Sequence, residues 1–185
     1  KIKLSFDQGE FVALNDQADT PVSNIEKLNT LASKYAIGRD VHVGDTIIGI
    51  KGRVGFEAAA PLLIIKAHHL LEKHTLSKWQ QFQKEQMGNF YGMLLHEGNY
   101  LDEVMRNIEA FLEDTQRKVS GEVYVTLHPY RFTLDGIKSP FDMMNKGFGT
   151  YGEMNRGWTA EDAKGFIKIV SNPGKIANLT NKSHD

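Results

Sequence analysis

The sequence predicts an α+β fold in which an antiparallel sheet packs against several helices. Apolar and polar residues alternate in two regions, residues 2–14 and 121–134, as they do in half-buried strands. Between these regions apolar residues recur every three or four positions, which is the period of an amphipathic helix. The chain has 185 residues, of which 41% are hydrophobic, so it can bury one compact core.

The first elements are a hairpin, a helix and a glycine-rich region. Residues 2–14 predict two short strands joined by a turn. Pro21 suits the first turn of a helix, for which Ser23 and Glu26 have the spacing of a capping box. Residues 40–56 combine β-branched residues with glycines, which predicts strands and a loop whose backbone can approach a ligand.

Three helices follow. Residues 58–73 are apolar nearly all round, so we expect a buried helix there. Thr75 is predicted to cap a second helix, whose aromatic residues are expected in the core. Residues 101–112 carry the clearest helical spacing of the chain.

The C-terminal part is predicted to hold the second hairpin and a less regular tail. Residues 123–134 form the hairpin, and strands from both hairpins and from residues 40–53 are expected to make the sheet. Residues 165–170 predict a last strand, and Asn172 opens a short terminal helix. Residues 147–152 match G-x-G-x-x-G, but without a strand before the motif and a helix after it we interpret them as a loop.

Composition and charge exclude several functions. The chain has 22 Lys and Arg against 23 Asp and Glu, so it lacks the basic surplus of a nucleic-acid-binding protein. It has no cysteine, which excludes disulfides and thiolate chemistry and fits a cytoplasmic location. No apolar run is long enough to span a bilayer, so we expect no membrane partner. The chain opens on a predicted strand at Lys1, as a piece of a longer protein would.

Three histidines have the wrong spacing for a metal site. A helical metal-binding pair is four residues apart with a Glu between, and His68, His69 and His74 offer no such pair. We expect partly buried histidines with hydrogen-bond partners instead. No nucleophile elbow, phosphate loop or paired-carboxylate motif is present, so no catalytic residue is predicted.

The strongest candidate site lies in residues 38–57. Lys51 and Arg53 are two positions apart on a predicted strand, so their side chains share a face. Two cations in a glycine-rich segment can bind a carboxylate or a phosphate. The alternative is a solvated edge strand whose charges prevent pairing with other chains, and the residues alone favour neither the binding site nor the edge strand.

The order of the motifs resembles the argininosuccinate synthase family. Residues 35–39 are Y-A-I-G-R and residues 48–57 are I-G-I-K-G-R-V-G-F-E, against the family patterns G-[IV]-G-R and G-M-K-S-R-G-x-Y-E. The similarity continues through Ala67-His68 and residues 121–123 to D-A-x-G-F-I at residues 162–167. It covers essentially the whole chain, as the second half of the family's protein.

The resemblance implies part of an ATP-dependent C–N ligase of arginine biosynthesis. Such an enzyme joins citrulline to aspartate through citrullyl-AMP, giving argininosuccinate, AMP and pyrophosphate. ATP and Mg²⁺ would be bound mainly by the family's N-terminal domain, whose S-G-G-x-D-T-S loop is absent here, so we expect this fragment alone to be inactive. Residues 1–145 would be the synthetase domain fragment and residues 146–185 an oligomerisation arm of a homotetramer. The alternative is a non-catalytic oligomerisation or small-molecule-binding module.

The resemblance also implies substrate-binding residues at Gly44, Asp45, Lys51, Arg53 and Phe56. The family has Glu at the position of Gly44 and Tyr at that of Phe56, and both bind citrulline. Either Asp45 takes the role of the Glu, or the α-nitrogen of the substrate carries an acyl group such as succinyl. An acyl group would need the room that Gly44 leaves and would be repelled by a carboxylate there. The expected partners are aspartate and either citrulline or an N-acylcitrulline.

Overall fold

The computed structural model describes residues 1–145 and 157–182, and the G-x-G-x-x-G match at residues 147–152 lies outside them. The chain divides into two compact units, residues 1–143 and residues 144–185. In chain order the regular elements are β1 (Ile2–Asp7), β2 (Glu10–Leu14), β3 (Gln17–Ala18), α1 (Pro21–Ser33), β4 (Arg39–Asp45), β5 (Lys51–Glu57), α2 (Ala59–Thr75), α3 (Lys78–His96), α4 (Glu103–Gln116), β6 (Gly121–His128), β7 (Arg131–Lys138), α5 (Ala160–Val170) and α6 (Asn172–Lys182).

The predicted α+β class is confirmed. Five antiparallel strands form a sheet in the order β3-β2-β1-β6-β7. Helices α1 and α2 pack against one face of this sheet, where the alternate apolar residues of the strands meet the apolar faces of the helices. The fully buried side chains of this core include Leu4, Leu28, Leu63, Leu71, Val123 and Val125.

The strands of residues 39–57 do not join that sheet. Among the described residues, β4 and β5 pair only with each other, in a separate two-stranded antiparallel ribbon. Most side chains of the ribbon are exposed, since neither of its faces packs on the core. The expectation that residues 40–53 contribute to the main sheet is therefore wrong.

The helix ends differ from the predicted ones because other residues make the caps. Thr20 caps α1 by accepting a hydrogen bond from the Ser23 backbone N–H at 3.3 Å, so Ser23 lies inside the helix. Ser77, with Gln80, forms the capping box of α3. Thr75 instead ends α2, where its hydroxyl donates to the carbonyl of Leu71 at 3.0 Å.

Two expectations about burial are wrong. Helix α2 buries only the face that lies on the sheet, and Ile65 on its other side is 62% exposed. Helix α3 has no buried residue, and its Trp79 is 69% exposed, although its aromatic residues were expected in the core. Helical spacing predicts that a helix has an apolar face. Whether another element covers that face depends on the tertiary structure.

In the second unit, the prediction of a strand at residues 165–170 is wrong. These residues belong to α5, which begins with a capping box between Thr159 and Asp162 and carries Glu161 in its first turn. Carboxylates there favour the helix because they face the positive end of its dipole. The terminal helix predicted from Asn172 is confirmed as α6.

Within residues 1–145 and 157–182, no helix is both long enough and apolar enough to cross a bilayer.

Candidate functional site

All five substrate-binding residues predicted from the sequence lie on the β4–β5 hairpin. A tight turn at residues 46–50 joins its strands. The Thr46 hydroxyl donates to the carbonyl of Ile50 at 2.6 Å and accepts from the backbone N–H of Ile50 at 3.1 Å. Gly49 takes the left-handed conformation that the turn needs, with φ of +79°. The turn chemistry therefore fixes the register of the two strands.

The base of the hairpin is fixed to the start of α2. The Gly38 carbonyl accepts a hydrogen bond from the Ala58 backbone N–H at 2.9 Å. Gly38 has φ of +80°, and a Cβ atom there would lie 2.6 Å from the Ala58 carbonyl carbon. Only glycine allows this approach. An ion pair between Arg39 Nε and Glu57 Oε1, at 2.8 Å, closes the base.

The register divides the side chains between two faces. Asp45 pairs with Lys51 and Val43 with Arg53, and directly paired residues project to the same side. We call this side the Lys–Arg face. The opposite side, which we call the His–Phe face, carries the alternate residues Asp40, His42, Gly44, Gly52, Val54 and Phe56.

On the Lys–Arg face, the two cations differ in their partners. Lys51 Nζ forms an ion pair with Asp45 Oδ1, and the Asp45 carbonyl contacts His96 Nε2 at 3.3 Å. Arg53 is exposed and has no ion-pair partner among the described residues. The sequence-based prediction that Lys51 and Arg53 share a face is confirmed by the pairing. Arg53 is the cation of this face that remains available to a carboxylate or a phosphate.

On the His–Phe face, a histidine lies over a glycine. A Cβ atom built on Gly44 would be 2.6 Å from His42 Nε2, so the imidazole fills the space of a side chain at position 44. The expectation that Gly44 leaves this space open for an acyl group is therefore wrong. Phe56, 43% exposed, lies on the same face. Asp45, the alternative to the missing carboxylate, projects to the opposite face. The sequence did not single out His42, whose proximity to position 44 follows from the strand period of two.

A second polar cluster lies between α2, α3 and α4. The Glu72 side chain is 2% exposed and receives Lys84 Nζ and Gln116 Nε2, each at 2.8 Å from its Oε1. His68 Nε2 hydrogen-bonds Gln116 Oε1 at 2.8 Å, and burial lowers the pKa of His68. This cluster borders an open groove of about 320 Å³.

The described residues show which histidines have hydrogen-bond partners and whether a metal ion or ATP could bind. The expected partly buried, hydrogen-bonded histidines are confirmed at His68 and at His74, whose Nδ1 is 3.0 Å from Asp142 Oδ1. The expectation is wrong for His69, which is exposed. Within the described ranges, no group of three or more His, Asp or Glu side chains could hold a metal ion. The sequence also has no phosphate loop. These residues do not fit a Mg²⁺–ATP site, so no reaction step is assigned to such a site on this chain.

Comparison with known proteins gives one consistent family. Residues 1–177 match the family model described as "Arginosuccinate synthase C-terminal domain". The chain is 39% identical to an argininosuccinate synthase of Xanthomonas campestris pv. campestris over 168 residues, which are 91% of this chain and 42% of that protein. It is 34% identical to that of Dictyoglomus thermophilum over 184 residues, 100% of this chain and 46% of that protein. The chain thus spans less than half the length of these curated relatives.

Proposed function

Because the chain belongs to the argininosuccinate synthase C-terminal domain family, we propose that it is the C-terminal part of an ATP-dependent C–N ligase. The ligase joins a citrulline-type substrate to aspartate through a citrullyl-AMP intermediate and releases AMP and pyrophosphate. ATP and Mg²⁺ bind mainly to the part of the enzyme that this chain does not include. The family match over residues 1–177 is the observation that carries this proposal.

The hairpin residues bind and orient the substrates in this proposal. Arg53 binds a substrate carboxylate, because its guanidinium is exposed and offers the two parallel donors that a carboxylate prefers. Lys51 adds positive charge to the same face while it pairs with Asp45. Holding two substrates in a fixed orientation contributes to the rate because it removes the entropy cost of bringing them together.

The second part of the proposal concerns the α-nitrogen of the citrulline-type substrate. Gly44 and Phe56 stand at positions where the family has Glu and Tyr, so on the His–Phe face position 44 lacks a carboxylate for an α-ammonium group and position 56 lacks a hydroxyl beside it. The carboxylate of Asp40, which pairs with Phe56 on this face, accepts a hydrogen bond from the backbone N–H of Val41. Asp45 is a poor substitute because it projects to the other face and pairs with Lys51. We propose that the α-nitrogen is acylated, so that it carries no charge in need of a carboxylate.

The proposed oligomeric state and cellular location of the enzyme are those of the family. The second unit, residues 144–185, exposes many apolar side chains on α5 and α6, and exposed apolar surface of this kind is typical of subunit interfaces. We propose that it is the oligomerisation arm of a cytoplasmic homotetramer.

Pyrophosphate release by the full-length enzyme tests the proposed reaction. With ATP, aspartate and either citrulline or an N-acylcitrulline, we expect pyrophosphate and AMP in equal amounts. Arg53→Gln should raise the KM for a carboxylate-bearing substrate by at least about tenfold, since it removes a charge-assisted hydrogen bond. Arg131→Gln, a substitution of an exposed arginine at the start of β7 and away from β4 and β5, serves as the matched control. No pyrophosphate with any of these substrates would contradict the ligase and favour a non-catalytic module.

A further inference from the structure

We propose that His42 determines substrate specificity by binding the distal carboxylate of a dicarboxylic acyl group, such as succinyl, on the α-nitrogen of the substrate. This inference rests on the proposed function and extends it from any acylated citrulline to one with an anionic acyl group. It assigns a role to a residue that neither the motifs nor the family comparison identifies.

The position of His42 is the first support. His42 is directly opposite Val54, and it is two residues before Gly44 on the same strand. Phe56 pairs with Asp40, two residues before His42, so it is a diagonal neighbour of His42 on the same face. The imidazole is thus central to the face whose two departures from the family motivate the acylated substrate.

The space above Gly44 is the second support. His42 Nε2 would lie 2.6 Å from a Cβ atom at position 44, closer than any real pair of such atoms, so a side chain there would displace the imidazole. Gly44 therefore leaves room for His42, and a nitrogen-bearing ring stands where the family has a carboxylate. A carboxylate at this place would repel an anionic acyl group, whereas the imidazole of His42 can donate a hydrogen bond to it.

The availability of His42 is the third support. It is exposed, and neither ring nitrogen has a hydrogen-bond partner among the described residues, whereas His68, His74 and His96 each have one. The one carboxylate on the His–Phe face belongs to Asp40, whose Oδ1 accepts from the backbone N–H of Val41 at 2.7 Å. His42 thus has donor capacity that the fold does not use.

The experiment compares N-succinylcitrulline with N-acetylcitrulline in the full-length enzyme, with pyrophosphate release as the readout. Both substrates have an uncharged α-nitrogen, and only the first has a distal carboxylate. We expect the wild type to prefer the succinyl substrate. His42→Leu should lower kcat/KM for it by at least about tenfold and leave that for the acetyl substrate within about twofold. His42→Gln, which keeps an N–H donor, should retain part of the preference.

His69→Gln is the matched control, because it changes an exposed histidine on α2 rather than on the hairpin. An unchanged succinyl-to-acetyl ratio in His42→Leu, in an enzyme that turns over both substrates, would overturn the role of His42 alone. A wild type that uses both substrates equally would also overturn it. Failure of the wild type to release pyrophosphate with any citrulline substrate would instead overturn the proposed function, and this inference with it.

Discussion

At the scale of single residues, the core of the first unit contains a carboxylate that no local pattern predicts. Glu72 lies on the buried face of α2, and its partners Lys84 and Gln116 come from α3 and α4. Burying a charged group costs free energy unless it is paired and hydrogen-bonded, so these two donors offset the cost. Glu72 lies beside the buried stripe of α2 that Leu63, Ala67 and Leu71 form at helical spacing. Which distant donors reach it depends on how three helices pack.

His68, in the same cluster, is expected to make stability depend on pH. Burial lowers the pKa of His68 below its usual 6.5, so the unfolded chain takes up this proton more readily than the folded chain. The free energy of unfolding should therefore fall as the pH falls below 6.5 toward the lowered pKa. His68→Gln should remove this contribution. Urea unfolding of the full-length protein at about pH 7 and about pH 5.5 measures the change.

The neighbouring His69 provides the control, because it is exposed on the same helix. His69→Gln should keep most of the pH dependence of the wild type, because burial, rather than the nearby charge of His69, is the main cause of the lowered pKa of His68. If His68→Gln lost as much stability as the wild type between the two pH values, the buried histidine would not be the source.

At the scale of elements, the periods of apolar residues predicted where strands and helices lie better than they predicted which elements pack against each other. The hairpins β1–β2 and β6–β7 were predictable because each buries one face and so alternates cleanly. The ends of α1 and α3 were missed because several residues could have made each cap. Residues 165–170 contain Ile167, Ile169 and Val170, which favour a strand, but the capping box at Thr159 starts a helix that continues through them.

A pair of glycine substitutions tests how the hairpin is fixed. Gly38 and Gly49 have nearly the same left-handed φ, +80° and +79°. A Cβ atom at Gly38 would lie 2.6 Å from the Ala58 backbone, whereas a Cβ atom at Gly49 would have no atom of the described residues within 4 Å. Gly49→Ala should cost only the backbone strain, about 1–2 kcal/mol. Gly38→Ala should cost more and also lower activity, because the base of the hairpin must move away from α2.

Unfolding free energies and kcat/KM of the two full-length variants measure this difference. Equal losses of stability, with activity retained in both, would contradict the close contact between the hairpin base and α2.

At the scale of the whole molecule, the candidate site could be predicted only in part. The order of motifs identified the residues of the hairpin, and the strand period predicted that Lys51 and Arg53 share a face. The opposite placement of Gly44 and Asp45, and the proximity of His42 to Gly44, follow from the strand period of two. Which residues of β5 share a face with them required the register that the turn at residues 46–50 sets. Sequence alone left the role of Asp45 open, because the alignment of this glycine-rich segment with the family pattern could be shifted by a residue or two.

The arm gives a prediction about assembly. Phe166 is 67% exposed on α5, and the neighbouring Ile167 and Ile169 are exposed as well. Phe166→Asp in the full-length protein should reduce the mass measured by light scattering, because a charge in an apolar interface is costly to bury. Lys164→Ala, on the same helix but at a charged exposed residue, should keep the wild-type mass. An unchanged mass in Phe166→Asp would contradict an interface at this residue.

The central claim is that the His–Phe face selects a substrate with an acylated α-nitrogen. The most direct measurement is the ratio of kcat/KM for N-succinylcitrulline to that for citrulline, in the wild type and in the double variant Gly44→Glu, Phe56→Tyr of the full-length enzyme. The account predicts a wild-type ratio well above one. It predicts a shift toward citrulline of at least about tenfold in the variant, which regains a carboxylate and a hydroxyl for an α-ammonium group. A wild type that prefers citrulline would contradict the account.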